Sequence, residues 1–132
     1  MKASETLQIE RGPGQEYRLT TSMVLDREID EVFEFFSDPH NLTQITPRWL
    51  SLRVRSTDRI EMAEGIRIRY GFRVRGVPAI WHSEITAWEP PYRFVDEQRL
   101  GPFRKWVHEH VFEPVAGGTR AIDSVTYGVL GR

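Results

Sequence analysis

The sequence predicts an α+β fold: one antiparallel sheet of about seven strands, large enough to curl, with two short helices after its first strand. Three observations carry this. Ile29, Val32, Phe33 and Phe36 form one amphipathic helical stripe, and a second capped helix follows directly. From residue 49 onward, apolar and polar residues alternate through six successive segments. The gaps between those segments are short and hold Gly or Pro, as antiparallel hairpins require.

Residues 1–14 read as a loose segment ending in a Gly12-Pro13-Gly14 turn, and Gln15 to Leu25 as the first strand. Asp26 is placed to cap the first helix, with Glu28, Asp30 and Glu31 where the helix dipole favours carboxylates. Asp38-Pro39 joins a capping residue to a proline at the first helical position, so a second helix starts there and stops before Pro47. Strands are then expected over 49–56, 65–75, 79–89, 92–100, 103–113 and 119–128. Gly76-Val77-Pro78, Pro90-Pro91, Gly101-Pro102 and Pro114 to Gly118 mark the turns.

The length of 132 residues, with 39% hydrophobic and 28% charged content, fits a single globular domain over 1–132. No apolar run approaches the roughly 18–20 residues that span a bilayer. Residues 1–10 lack the apolar core of a signal peptide, so a cytoplasmic location is expected. The absence of cysteine excludes disulfides, thiolate catalysis and Cys-type zinc sites. No Gly-rich phosphate loop, cofactor fingerprint or Ser-His-acid arrangement occurs, and no cofactor is expected.

Eight arginines lie between Arg48 and Arg75, a density that raises nucleic-acid binding as one reading. In residues 65–76, however, the arginines alternate strictly with Ile66, Ile68, Tyr70, Phe72 and Val74. That is a strand with one buried and one wet face, so a solvated exterior is expected and nucleic acid is not.

The segment from Lys105 to Pro114 places Trp106, His108, His110 and Phe112 at alternate positions, on one strand face. Two histidines are too few for a metal, which needs three or four converging ligands. Asp123 on the next strand adds a third if the odd phase there faces inward, and Asp96 and Gln98 on the preceding strand do likewise if theirs does. The alternative is a polar network in which both imidazoles bond to those carboxylates within an apolar pocket, and this reading carries no metal. His108, His110, Asp96 and Asp123 are then the candidates for proton transfer, since a paired histidine titrates near neutral pH.

Trp49, Tyr70, Phe72, Trp81, Trp88, Phe94, Trp106, Phe112 and Tyr127 supply more ring surface than one thin core layer needs. Pockets for apolar ligands are lined this way, with a few polar groups for orientation. Tyr70, Phe72, Trp81, Ile85, Phe94, Trp106, His108, His110, Phe112 and Tyr127 are the expected ligand-binding set. A one-residue bulge would invert the phase of any strand involved.

Residues 31–47, 88–119 and 123–127 ("EVFEFFSDPHNLTQITP", "WEPPYRFVDEQRLGPFRKWVHEHVFEPVAGGT", "DSVTY"), in their β-α-α-β₆ order, resemble the SRPBCC or START-like superfamily of helix-grip proteins. The likeness runs from about Thr20 to Tyr127, nearly the whole chain. It is nearest to bacterial ligand-binding, cyclase/dehydrase-like members. The resemblance implies a cavity between sheet and helices, a hydrophobic small molecule as partner, and no habitual metal. Binding without catalysis is the leading expectation, and a polyketide cyclase-type enzyme using the His and Asp candidates is the alternative. The superfamily's long C-terminal helix has no counterpart here, so the inner face is expected to be covered by inward collapse, a longer chain, or a second copy in a homodimer.

Overall fold

The computed structural model describes residues 5–12, 15–41, 51–55 and 61–129. Its eight strands are β1 (Glu5–Arg11), β2 (Glu16–Leu25), β3 (Arg53–Val54), β4 (Arg67–Val74), β5 (Val77–Glu89), β6 (Arg93–Leu100), β7 (Lys105–Val115) and β8 (Gly118–Gly128). One helix, α1 (Ile29–Ser37), follows β2, and helical geometry resumes at 39–41. The strands form a single curled antiparallel sheet in the order β1-β2-β8-β7-β6-β5-β4-β3. The α+β class and the curled sheet are as expected, with one strand more than seven. Among the described residues no helix is long and apolar enough to cross a membrane.

The additional strand is β1, in the segment expected to be loose. It pairs with β2 from Glu5↔Met23 to Arg11↔Tyr17, and Gly12 N–H closes the hairpin onto the Glu16 carbonyl at 2.8 Å. Its alternation is weak, so backbone pairing with β2, rather than a buried face, explains it. At the opposite edge, the strand expected over 49–56 is only the two-residue β3, paired through Arg53↔Gly71 and Val54↔Tyr70. Residues 49, 50 and 56 lie outside the described residues, as do Trp49, Arg48, Arg59, Pro47 and the Pro13-Gly14 part of the first turn.

Helix α1 begins two residues later than predicted. Glu28, not Asp26, takes the N-cap position, with no side-chain cap bond, while Asp30 and Glu31 occupy the first turn. Val32 and Phe33 are buried, and Ile29 and Phe36 pack against the core from its edge. Phe33 meets Trp88, Phe94 and Phe112 at ring separations of 5.2, 5.7 and 5.5 Å, which seats the helix on β5, β6 and β7. The Asp38 cap is present: its Oδ1 accepts the His40 N–H at 2.9 Å.

Two turns are tighter than the sequence suggested. Val74 pairs with Val77, so the β4–β5 turn is Arg75-Gly76, both with positive φ (51° and 81°). This twist matches the flanking strands. Pro78 consequently sits inside β5, opposite Arg73, where its missing N–H faces no partner because β6 pairs only from His82 onward. Likewise β7 runs through Pro114, and the turn to β8 is Ala116-Gly117. The outer face carries the charges: Arg67 and Arg99 both bond Glu84 (3.1 and 3.2 Å), and Arg93 bonds Glu109 (2.7 Å). The Arg99 hydrogen bond in particular holds the Glu84 carboxyl below its usual range.

Gly118 lies where β8 meets the end of β2. Its φ of 153° and the Leu25 carbonyl, which a Cβ would strike, both demand glycine. The next residue, Thr119, is fully buried and donates its hydroxyl to the Arg27 carbonyl at 2.7 Å, tying β8 to the start of α1. Gly118→Ala is therefore expected to destabilise by about 2–3 kcal/mol. Gly117→Ala, at φ 85° with open space around it, should cost only about 1–2 kcal/mol. Chemical denaturation of both variants measures the difference; equal losses would remove the Leu25 contact as the cause.

Candidate functional site

Pairing sets two adjacent rows of side chains on the inner face. One runs Ile85, Asp96, His108 and Val125; the other runs Phe94, His110 and Asp123. Alternation along β7 puts both histidines inward, and the neighbouring rows bring both aspartates against them. His110 Nε2 donates to Asp96 Oδ2 at 2.8 Å, and its Nδ1 lies 3.2 Å from Asp123 Oδ1. His108 Nε2 lies 3.0 Å from the same Asp123 oxygen, and its Nδ1 is 4.0 Å from Asp96 Oδ2. Because a carboxylate only accepts, Nε2 of His108 carries the proton. Ser83 Oγ adds a bond to Asp96 Oδ1 at 3.3 Å. The result is a ring of alternating imidazoles and carboxylates, closed by the 4.0 Å contact of His108 with Asp96, in which Asp123 is the acceptor that both histidines share.

The imidazoles are also stacked. His108 lies over His110 with ring centres 3.7 Å apart, and His110 lies over Phe94 at 4.0 Å and 9°. Burial opposes a charge on His110, but hydrogen bonds to Asp123 and Asp96 outweigh it and raise its pKa to about 9. Burial works against ionisation of Asp96 and Asp123 as well; a bond to His110 overcomes it at Asp96 and bonds to both histidines at Asp123, so both carboxyls stay below the usual range. His110 is thus an imidazolium at neutral pH, not the group tuned near neutrality that the sequence suggested.

Asp96, His108 and His110 place ligand atoms within 4.8 Å of one another, which invites a metal. The stack works against it. Lone pairs of near-parallel rings run side by side, whereas a metal lies in the plane of each imidazole at about 2.0–2.1 Å.

This cluster forms one wall of a cavity of about 620 Å³ under α1 and the start of the second helix. Of the predicted ligand-binding set, Tyr70, Phe72, Trp81, Ile85, Phe94, Trp106, His108 and His110 line it. Two do not. Phe112 is buried beneath α1 against Phe33 and Phe36, and Tyr127 stacks behind the cavity on Tyr17 at 5.5 Å. Asp96 and Ser83 line it, while Asp123 stands behind the histidines. Burial, then the nearby Asp96 and Asp38, pushes the Tyr70 hydroxyl above its usual range, so it remains an uncharged phenol.

Several lining residues went unread. Ile68 shares the phase of Tyr70 and Phe72, and Phe36 was on the helical stripe, so both were within reach of the pattern. Leu52 was in phase with Val54 in the strand expected over 49–56, whereas Met62 lies in a segment without periodicity and carries no such signal. Phe103, expected to begin a strand, instead precedes it. Gln98 holds its backbone at both ends, donating to the Phe103 carbonyl (2.6 Å) and accepting its N–H (3.1 Å). This turns the Phe103 ring against Trp106 at 4.7 Å and Trp81 at 5.8 Å.

The cluster predicts a two-sided pH profile. His110, with its folded pKa raised, contributes stability in full below about 6.5 and loses it as pH climbs through about 9. The two aspartates, with lowered pKa values, contribute above about 3.8 and lose it as pH falls further. The alkaline loss should be on the order of 3 kcal/mol. His110→Ala should lower stability near neutral pH by about 1–3 kcal/mol and flatten the alkaline limb. Urea denaturation across this range checks both, and an unchanged alkaline slope in His110→Ala would refute the assignment.

A family model described as polyketide cyclase / dehydrase and lipid transport matches residues 16–132. No curated protein matches the chain. Among solved structures, protein Ms6760 from Mycobacterium smegmatis is 20% identical with a TM-score of 0.65, over 91% of this chain and 78% of that one. Major latex-like protein 151 from Panax ginseng is 17% identical with a TM-score of 0.67, over 90% and 83%. CalU16 from Micromonospora echinospora is 17% identical with a TM-score of 0.60, over 98% and 73%. These likenesses carry the fold alone, whereas the family match spans nearly the whole sheet and both helical segments. The chain belongs to the polyketide cyclase/dehydrase and lipid-transport family, within the SRPBCC superfamily.

Proposed function

We propose that this protein binds an apolar or amphipathic small molecule, lipid-like or polycyclic, in the cavity between its sheet and helices, without transforming it. The carrying observation is the cavity's composition: about 620 Å³ of space with mainly aromatic and aliphatic walls, one polar sheet wall of Ser83, Asp96, His108 and His110, and Ser37 and Asp38 at the helix side. That volume falls within the roughly 300–1,000 Å³ of small-molecule pockets, and one polar wall is what orients an amphipathic guest. The family description supports the same reading. A second reading, proton transfer to a bound polyketone, rests on Asp96 and His108 facing the cavity. There His110, an imidazolium to about pH 9, would serve as an acid and not as a base.

Native mass spectrometry of protein purified from its own host is expected to show a co-purified apolar molecule at one per chain. Trp106→Ala removes the ring that joins Trp81 and Phe103, and is expected to weaken binding of that molecule by roughly tenfold. Turnover of a polyketone, lost on His108→Ala, would replace the carrier reading with the enzyme. Absence of any bound apolar molecule, together with failure to bind an apolar fluorophore, would end both.

A further inference from the structure

The polar wall is acidic, and three of its four imidazole nitrogens already face carboxylates. Asp96 and Asp38 both line the cavity, and Asp123 backs it at 3.0 Å from His108. No lysine or arginine lines it among the described residues; the paired arginines of β4 and β6, Arg67, Arg93 and Arg99, bond glutamates on the opposite face of the sheet. Two carboxylates in the wall meet at most two imidazolium charges, so the wall cannot become net positive while both are ionised, and Asp38 adds a third carboxylate at the rim. His110 directs both ring nitrogens at aspartate oxygens, and His108 directs Nε2 likewise. Asp96, by contrast, keeps capacity to accept: a carboxylate offers about four lone-pair directions, and only Ser83 and His110 Nε2 approach within hydrogen-bonding distance.

We infer that the cavity selects apolar molecules whose polar end is a hydrogen-bond donor without negative charge, an alcohol, phenol or amine, and discriminates against fatty carboxylates, with Asp96 as the specificity-determining residue. A guest hydroxyl or ammonium meets the open lone pairs of Asp96. A guest carboxylate loses its hydration beside two partly buried like charges and finds no surplus cation to offset that loss. This rests on the binding function proposed above.

The test is displacement of N-phenylnaphthylamine, an uncharged apolar fluorophore, by dodecanol, dodecylamine and dodecanoate near neutral pH, below their micellar concentrations. Dodecanol and dodecylamine should displace it, with dodecanoate weaker by roughly tenfold or more. Asp96→Asn should narrow that gap by strengthening dodecanoate. Asp38→Asn, exposed and still able to cap residues 39–41, should narrow it to a smaller extent, and decides the matter if Asp96→Asn does not fold. Dodecanoate displacing the probe from the unsubstituted protein as well as dodecanol would overturn the inference while leaving the binding reading intact. Failure of the probe and of all three competitors to bind would overturn the binding reading and the inference with it.

Discussion

Two carboxylates can lie on the apolar face of this sheet only because two imidazoles stand between them. An unpaired ionised carboxyl in that setting would give up its charge or force the sheet open. Here Asp96 is bonded to His110 and Asp123 to both histidines of β7, and His110 takes a proton to complete the balance. The arrangement needs β6, β7 and β8 in one register. A slip by a single residue would send His108 and His110 to the outer face and leave both aspartates alone. The ring is therefore a condition on strand pairing as much as a feature of the site.

Around that constraint the rest of the inner face divides its labour. Toward one end, Phe33 of α1 packs against Trp88, Phe94 and Phe112, and this end is filled. Toward the other, Trp81 meets Phe103 and Trp106 edge to face, those two lie tilted against each other, and space remains between the sheet and the start of the second helix. Phe94 links the two ends, since it touches Phe33 on one side and stacks on His110 on the other. An irregularity between Ile85 and Ala87 assists this division. It lets Trp81, Ser83 and Ile85 face inward on odd positions and Trp88 on an even one, so β5 serves both the cavity and the packed end.

Much of this was legible in the residues. Strict alternation within β4 and β7 identified Tyr70, Phe72, Trp106, His108 and His110 as inward, because a strand's two-residue period ties position to face. The stripe of α1, the Asp38-Pro39 start of the second helix and the absence of cysteine chemistry were equally local matters. So was the solvated arginine face of β4, which follows from the same period read at its other phase.

Other features depended on distance in the chain. β1 forms because β2 offers it a free edge, which no pattern within residues 5–11 announces. Phe112 was in the right phase for the cavity, but its depth beneath α1 depends on where the helix crosses the sheet. Met62 and Phe103 reach the cavity from irregular segments, placed by their neighbours rather than by their own periodicity. The charge state of His110 is the sharpest case. The sequence by itself determined that two histidines share a face with two aspartates within reach, since alternation and strand order are local. Only the tertiary structure decided that one imidazole sits between both carboxylates at hydrogen-bonding distance. Electrostatic coupling falls steeply with separation and solvent access, and the chain acquires those two quantities only when it folds.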